Sequence, residues 1–356
     1  MRTFASILLS LGILAGVTPG TADAQIELRT PGIQAEVGGR VHLQFATTSV
    51  DGPPSTQFLI RRARLNFSVT LNDWITGRIQ PEFGLGSAKV RDAWIRLGFS
   101  PGFRVTFGQF KVPFDLFQLT SSTETLVIER TGVVTGAGSC PGVVFCSYST
   151  ISAGLILSDR DIGVMVDGTS GKFYYGVSVT NGTGQVDLDD NGTKSFTGRV
   201  AVEVAPDVSV GVNAAMHDFL NDTTAASEYA PAAGADLDVG NFTEGLHFRL
   251  GIIVGENWRN LDAGGNTSTF VTGQGIISYK IPVTNNRYIE AVEPLGRLSW
   301  AEADTDATGS SRALLITPGV QVFFTGRNKV ALNIDIYDQD QMETQVSVKA
   351  QVYFYF

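Results

Sequence analysis

The chain has 356 residues and a formal net charge of −9, and 17% of its residues are charged. That charged fraction is low for a soluble globular protein, in which about 25% is usual. The acidic balance argues against a nucleic-acid partner, because phosphate backbones are bound by basic protein faces. Forty glycines and 22 phenylalanines favour many strands joined by turns, with aromatic residues available for a membrane interface.

The first 24 residues have the pattern of a secretory signal. Arg2 supplies a positive start, Ile7 to Val17 form a short apolar stretch, and Ala22-Asp23-Ala24 fits the small-residue cleavage pattern. The apolar stretch is shorter than the roughly 20 residues of a membrane-spanning helix. We therefore expect cleavage of residues 1–24 and a single domain from 25 to 356. If that domain enters a membrane, it must do so as a closed barrel.

The segment from Gln345 to Phe356 alternates between polar and apolar side chains. One face would carry Val352 and Phe354, and the other would carry Lys349. A strand of this length with one apolar face is the repeat unit of a transmembrane β-barrel. A terminal aromatic residue also resembles the export signal of bacterial outer-membrane proteins. An ordinary half-buried edge strand would show the same alternation, so the rest of the chain must discriminate between them.

Sixteen segments share this alternation, and most have the 9 to 11 residues that a tilted membrane strand needs. They are 37–47, 58–71, 74–85, 89–99, 103–110, 155–167, 172–180, 196–204, 208–217, 235–242, 246–254, 269–281, 287–300, 313–324, 329–337 and 345–356.

Their connections alternate between short turns, such as 100–102 and 205–207, and long polar stretches, such as 218–234 and 256–268. Short periplasmic turns and long external loops are typical of outer-membrane barrels, whereas a water-soluble β-sandwich would not need this asymmetry. The pattern predicts an all-β protein: a transmembrane antiparallel β-barrel of 16 strands in the bacterial outer membrane, exported through the periplasm and surrounded by outer-membrane lipid.

Three stretches carry a family resemblance: RRARLNFSVTL from Arg61, KVRDAWIRLGF from Lys89 and VTFGQFKVPFDLFQLTSSTETLVIER from Val105. Together they resemble the phosphate-selective porin O and P family, over about a fifth of the chain. The resemblance implies a sixteen-stranded channel that assembles as a homotrimer, with its long third external loop inserted into the pore. The irregular stretch 111–150 would be that pore-constricting loop.

Strand alternation predicts a basic pore wall. In the second segment Ala63 and Leu65 face lipid, so Arg62 and Arg64 face the lumen. The same rule turns six arginines inward, against Glu82 and Asp92: Arg40, Arg62, Arg64, Arg78, Arg96 and Arg104. A guanidinium fork pairs with phosphate or carboxylate oxygens and stays charged. A single arginine could equally neutralise a lumen carboxylate, but the group predicts a preference for small anionic or polar solutes.

The inserted loop carries charges of both signs and two serines. Its candidate site residues are Lys111, Asp115, Ser121, Ser122, Glu124, Glu129 and Arg130. We expect an acidic loop opposite the arginine wall, which would create a transverse field and suit general diffusion as well as anion selection.

Two cysteines, Cys140 and Cys146, lie in a Gly/Pro-rich part of this loop. Export through an oxidising compartment favours a disulfide that closes a small loop. A metal pair is the alternative, but it lacks nearby histidines.

Other site types are weakly supported. Asp187 to Gly192 matches the start of a calcium loop, but its twelfth position is Gly198 rather than glutamate. We therefore expect a solvated acidic loop, no metal and no cofactor. His42, His217 and His247 lie in no recognisable catalytic spacing, so a barrel enzyme remains an alternative only through contacts formed on folding. A barrel that transports lipid or hydrophobic compounds would need an apolar lumen, and passive diffusion of hydrophilic solutes fits better.

Overall fold

The computed structural model describes residues 26–30, 32–49, 56–134, 145–185, 187–189, 191–306, 312–339 and 343–356. The predicted signal segment 1–24 lies outside these ranges. Within them, no helix is both long and apolar enough to cross a membrane.

The strands are β1 (Ile26–Thr30), β2 (Ile33–Thr48), β3 (Thr56–Leu71), β4 (Ile75–Glu82), β5 (Lys89–Ser100), β6 (Phe103–Lys111), β7 (Arg160–Ser170), β8 (Phe173–Thr180), β9 (Ser195–Ala205), β10 (Val208–Asn221), β11 (Ala226–Val239), β12 (Gly245–Leu261), β13 (Thr267–Pro282), β14 (Ala291–Glu302), β15 (Arg312–Thr325), β16 (Asn328–Gln339) and β17 (Gln345–Tyr355). A 3-10 turn spans Gly84–Gly86, and two short helices are α1 (Leu116–Leu119) and α2 (Tyr148–Gly154).

Strands β2 to β17 form a closed antiparallel barrel of sixteen strands, as the sequence predicts. The seam is the pairing of β17 with β2, in which Tyr355 lies opposite Arg40 and Ser347 opposite Thr48. Closure leaves no unpaired edge among these strands, which lipid would otherwise penalise.

The extra strand β1 was not predicted, because five residues are too few for a membrane strand. It pairs with the first five residues of β2. These residues lie on the edge of β2 that also pairs with β17, beyond the point at which β17 ends.

The barrel wall follows the predicted alternation. In β17, Lys349 and Gln351 are buried inside, whereas Val352 and Phe354 are 44% and 56% exposed on the outside. Trp74, Phe99 and Phe103 cluster near the short turns, with ring centroids 5.9 and 5.6 Å apart in successive pairs. Aromatic side chains at this level are typical of the interfacial girdle of a membrane barrel.

Some predicted strand limits are wrong. The polar stretch predicted at 218–234 is mostly strand, since β10 ends at Asn221 and β11 begins at Ala226. Alanine-rich sequence gives little hydropathic contrast, so alternation does not detect the start of β11. The predicted strand 155–167 begins only at Arg160. Its apolar start belongs to the loop interior, where Leu155 and Leu157 are fully buried.

The described parts of the inserted loop, residues 112–134 and 145–159, pack inside the barrel. Phe114, Phe117, Tyr148 and Ile151 join an apolar cluster that also includes inward-facing side chains of β10 to β14. We call β2 to β8 the early wall and β9 to β17 the late wall. Because the loop covers the late wall, the open space lies along the early wall.

Gly39→Ala is expected to destabilise the barrel seam. A Cβ at position 39 would lie 2.5 Å from Cζ of Phe356 and 2.8 Å from the carbonyl oxygen of Arg64. Overpacking of this kind costs about 1–3 kcal/mol. The urea concentration that abolishes heat-modifiable migration on gels measures the change.

Gly296→Ala is the matched control, because the nearest atom to a Cβ there is Cγ2 of Ile277 at 3.9 Å. Identical unfolding midpoints for both variants would show that the terminal ring does not need the space at Gly39.

Candidate functional site

A cavity of about 330 Å³ lies between the inserted loop and the early wall. Its charged lining is strongly basic, with nine cationic side chains against the carboxylates of Asp92 and Asp167. The cationic residues are Arg40, Arg62, Arg64, Arg78, Arg91, Arg96, Lys111, Arg130 and Arg160.

The six predicted wall arginines do not all share this cavity. Arg40, Arg62, Arg64, Arg78 and Arg96 line it, whereas Arg104 pairs with Asp167 on β7. The side chains of Arg40, Arg62 and Arg64 face the lumen, and each residue is only 6% exposed. Alternating parity along β2 and β3 accounts for their direction.

Two further arginines face inward because strand pairing slips at β-bulges. Arg62 lies opposite His42 and Ile60 opposite Leu43, so Arg61 has no pairing partner. Its guanidinium binds Glu129 in two places, with N–O distances of 2.5 and 3.0 Å. A strict period of two assigns Arg61 to the lipid face, and this is why the sequence did not reveal it.

Arg91 is the second case. Gln80 lies opposite Asp92 and Pro81 opposite Val90, so Arg91 falls in a bulge of β5. Its Nη2 lies 3.3 Å from Asp159 Oδ2, and its Nη1 donates to Gln185 at 2.7 Å. Proline within a strand often marks a bulge, so Pro81 is the signal that could have located it.

Several arginines of the early wall are neutralised. Arg64 pairs with Glu82, and Arg160 lies 2.5 Å from Asp92 and 2.9 Å from Asp159. Although burial opposes ionisation, Arg91 and Arg160 hold the pKa of Asp159 below its usual range.

Five cations of the cavity have no carboxylate within 4 Å among the described residues: Arg40, Arg62, Arg96, Lys111 and Arg130. Their hydrogen-bond partners are neutral groups. Arg96 Nε donates to Thr106 at 2.9 Å, and Arg130 Nε donates to the carbonyl oxygen of Phe117 at 2.9 Å. Burial lowers the pKa of Arg130 to about 10, so this guanidinium is charged at neutral pH.

The loop carboxylates do not form the expected acidic edge. Asp115 is fully buried and accepts hydrogen bonds from Phe117 N, Tyr148 Oη and Ser152 Oγ at 2.9, 3.1 and 2.8 Å. Glu129 is committed to Arg61, and Glu124 lies 3.6 Å from Arg327. The expectation of an acidic face opposite the arginine wall is therefore wrong for Asp115 and Glu129. The loop presents Leu119, Ser121 and Ser122 to the cavity instead.

The late wall differs, because three of its buried arginines are paired with carboxylates. Arg199 binds Asp236, while Arg249 and Arg297 lie 2.6 and 2.8 Å from Asp238 and Asp335. Arg297 Nη1 also donates to the carbonyl oxygens of Glu129 and Arg130 at 3.0 and 2.6 Å. Arg297 therefore binds both the loop and its carboxylate partner Asp335.

Comparison with known proteins agrees with this geometry. Residues 36–233 match the family model of the phosphate-selective porins O and P. The chain belongs to this family. No curated protein matches the sequence. Taken with the closed barrel, the family match makes the protein a porin channel of the bacterial outer membrane.

Solved porin structures share the fold of this porin at low sequence identity. OmpF of Salmonella typhi, solved in complex with daunomycin, is 13% identical over 93% of this chain and 100% of its own, with a TM-score of 0.64. The outer-membrane channel DcaP of Acinetobacter baumannii is 12% identical over 92% of this chain and 99% of its own, with a TM-score of 0.62. A trimer form of OmpT from Vibrio cholerae is 12% identical over 91% of this chain and 100% of its own, with a TM-score of 0.56.

One histidine of the porin lies beside a serine and an acid. Ser195 Oγ lies 3.3 Å from His217 Nδ1, but its hydroxyl also donates to Asp218. In nucleophilic catalysis the acid orients the histidine rather than binding the serine directly. The arrangement of Ser195, His217 and Asp218 therefore differs from that of an activated catalytic serine.

The acidic stretch near Asp187 makes internal contacts. Asp189 accepts hydrogen bonds from the backbone N–H groups of Asn191 and Gly192 and pairs with Lys194. Among the described residues, no cluster of three or more potential metal ligands occurs.

Cys146 is disulfide-bonded, but Cys140 lies outside the described residues. The pairing of Cys140 with Cys146 stays a prediction.

Docking of the inserted loop is expected to strengthen below neutral pH. Burial raises the pKa of Asp115 from 3.8 to about 6, and its three hydrogen bonds only partly oppose this. Neighbouring Asp236 also raises this pKa, while Asp236 is itself paired with Arg199. The docked state binds the Asp115 proton more tightly than the undocked state does. Protonation of Asp115 therefore contributes its whole stabilisation of the docked loop below about pH 4, and this contribution is lost as the pH rises through 6.

Hydrogen exchange of the α1 amides, corrected for intrinsic rates, should show about tenfold greater protection at pH 5 than at pH 7.5. Asp115→Asn should remove the difference, since the amide does not titrate. Glu124→Gln is the control at a half-buried position of the same loop. Protection that is independent of pH in the parent protein would contradict the role of Asp115.

Proposed function

We propose that this porin mediates passive diffusion of small hydrophilic solutes and prefers anions, phosphate among them. The observation that carries the proposal is the set of five cavity cations without a carboxylate partner among the described residues. The preference arises on the early wall, because the loop occupies the late wall.

The physical basis is the cost of a buried, uncompensated charge. Arg40 and Arg62 are almost fully buried, and charge in such a site is stabilised when an opposite charge approaches. A permeating anion supplies that charge, whereas a cation is repelled. Guanidinium groups also offer paired N–H donors that match the oxygen atoms of phosphate and carboxylate.

The lining argues against the lipid-transport alternative raised by the sequence. A barrel for lipid or hydrophobic compounds would present apolar side chains, whereas this cavity is dominated by arginine.

Arg62→Gln and Arg96→Gln are each expected to weaken anion selectivity. Both cations line the cavity on different strands, β3 and β5. Removing one charge at close range should lower the anion-to-cation permeability ratio about two- to tenfold at low salt. Reversal potentials in planar bilayers under a potassium chloride gradient measure the ratio, and phosphate block of chloride current should weaken in parallel.

Arg287→Gln is the matched control, since it removes one positive charge from an exposed position outside the cavity. Unchanged reversal potentials in both cavity variants would place the narrow part of the pore elsewhere and refute the assignment. Two separate variants are used so that misfolding of one leaves the other informative.

We also propose a homotrimer, supported by the trimer form reported for Vibrio cholerae OmpT. The barrel closes within one chain, so each subunit would carry its own pore. Light scattering of the detergent-purified protein should give three times the mass of one chain, and single-channel closures should occur in three equal steps. A monomer with a single closure step would contradict this.

A further inference from the structure

The cavity lining is not purely basic, because aromatic and apolar side chains interrupt the charges. Trp94 on β5, Met165 on β7 and Tyr174 on β8 line the same space as the arginines. Trp94 lies opposite Arg78 in the pairing of β4 with β5, and the guanidinium of Arg96 lies over its ring.

Trp94 faces the lumen, although large aromatic residues of a barrel usually face the interface. On the same strand Asp92 and Arg96 line the cavity, whereas Ile95 is 56% exposed on the outside. The residues that continue its row across the sheet are Gly108 on β6 and Gly163 on β7. Because neither glycine has a side chain, the strand neighbours on that side do not cover the indole ring.

A cation is stacked on this ring. The guanidinium carbon of Arg96 lies 5.0 Å from the centre of the Trp94 ring, which is within cation–π range. Among the described residues Arg96 has no carboxylate partner, and its Nε is held by Thr106. A flat aromatic surface and an available guanidinium edge are therefore adjacent.

We propose that this cavity favours organic anions that carry an aromatic ring, of the benzoate class, over small anions of the same charge. The inference rests on the proposed anion preference and adds the class of solute. The carboxylate binds the arginines, and the ring lies against Trp94, Met165 and Tyr174.

The chemistry of the two solute classes differs at this surface. A small hydrated anion gains from the arginines but has no apolar surface to bury against indole or thioether groups. A benzoate-type anion gains both the attraction of the arginines and the burial of its apolar ring. The ring contributes through the area removed from water and through offset contact with the aromatic side chains. The volume of about 330 Å³ lies within the range of about 300–1,000 Å³ for small-molecule sites.

Block of chloride current in single channels tests the inference with benzoate, acetate and phosphate as probes. We expect benzoate to halve the current at about a tenfold lower concentration than acetate, which has the same head group. In Trp94→Leu with Tyr174→Leu, benzoate and acetate should block within about twofold of each other. The double variant should stay anion-selective in potassium chloride, because every arginine remains.

Trp74→Leu is the matched control, since this tryptophan lies on the outside of the barrel and its loss should leave benzoate block intact. Equal block by benzoate and acetate in the parent channel would overturn the inference without any variant. An undiminished benzoate preference in the double variant would also overturn it. If the double variant does not insert, the same result in Trp94→Leu alone would overturn it. A cation-selective parent channel would instead refute the proposed function, so the two failures are distinguishable.

Discussion

The structure depends on how the inserted loop satisfies its backbone inside the barrel. Much of the loop has no regular secondary structure, so its N–H and C=O groups need other partners once they are buried. The late wall supplies them. Ile128 N donates to Asn333 at 2.7 Å, Tyr148 N donates to Ser299 at 2.9 Å, and Lys349 Nζ donates to the Gly132 carbonyl at 2.6 Å. Together with the apolar cluster, these bonds fix the loop on one side of the lumen.

Electrostatic asymmetry of the pore follows from that attachment. The late wall uses Arg199, Arg249 and Arg297 in ion pairs, and Arg297 also binds loop carbonyls, so the charge of these three arginines is compensated locally. The early wall keeps cations, such as Arg40 and Arg96, that only neutral groups contact among the described residues. The same residue type therefore has two roles. Arg297 holds the loop through two carbonyls, whereas Arg62 lines open space.

The sequence predicted the barrel and the direction of the wall arginines because membrane strands must alternate wherever one face meets lipid. It could not predict Arg61 and Arg91, since a bulge shifts parity by one residue and only Pro81 marks either site. Nor could it predict that Asp115 turns into the loop interior. That orientation depends on Tyr148 and Ser152, which lie more than 30 positions away along the chain.

Sequence alternation missed both arginines and carboxylates of the pore. Because the two roughly offset each other, the early wall keeps the excess of positive charge that the sequence predicts. The arginines it overlooked are matched by carboxylates that it did not count on the early wall: Arg61 by Glu129, and Arg91 and Arg160 by Asp159. Two of the loop's carboxylates therefore neutralise arginines of the wall rather than facing them across the pore. An anion in the cavity then meets positive charge from the wall, including Lys111 at the end of β6, and from Arg130 of the loop.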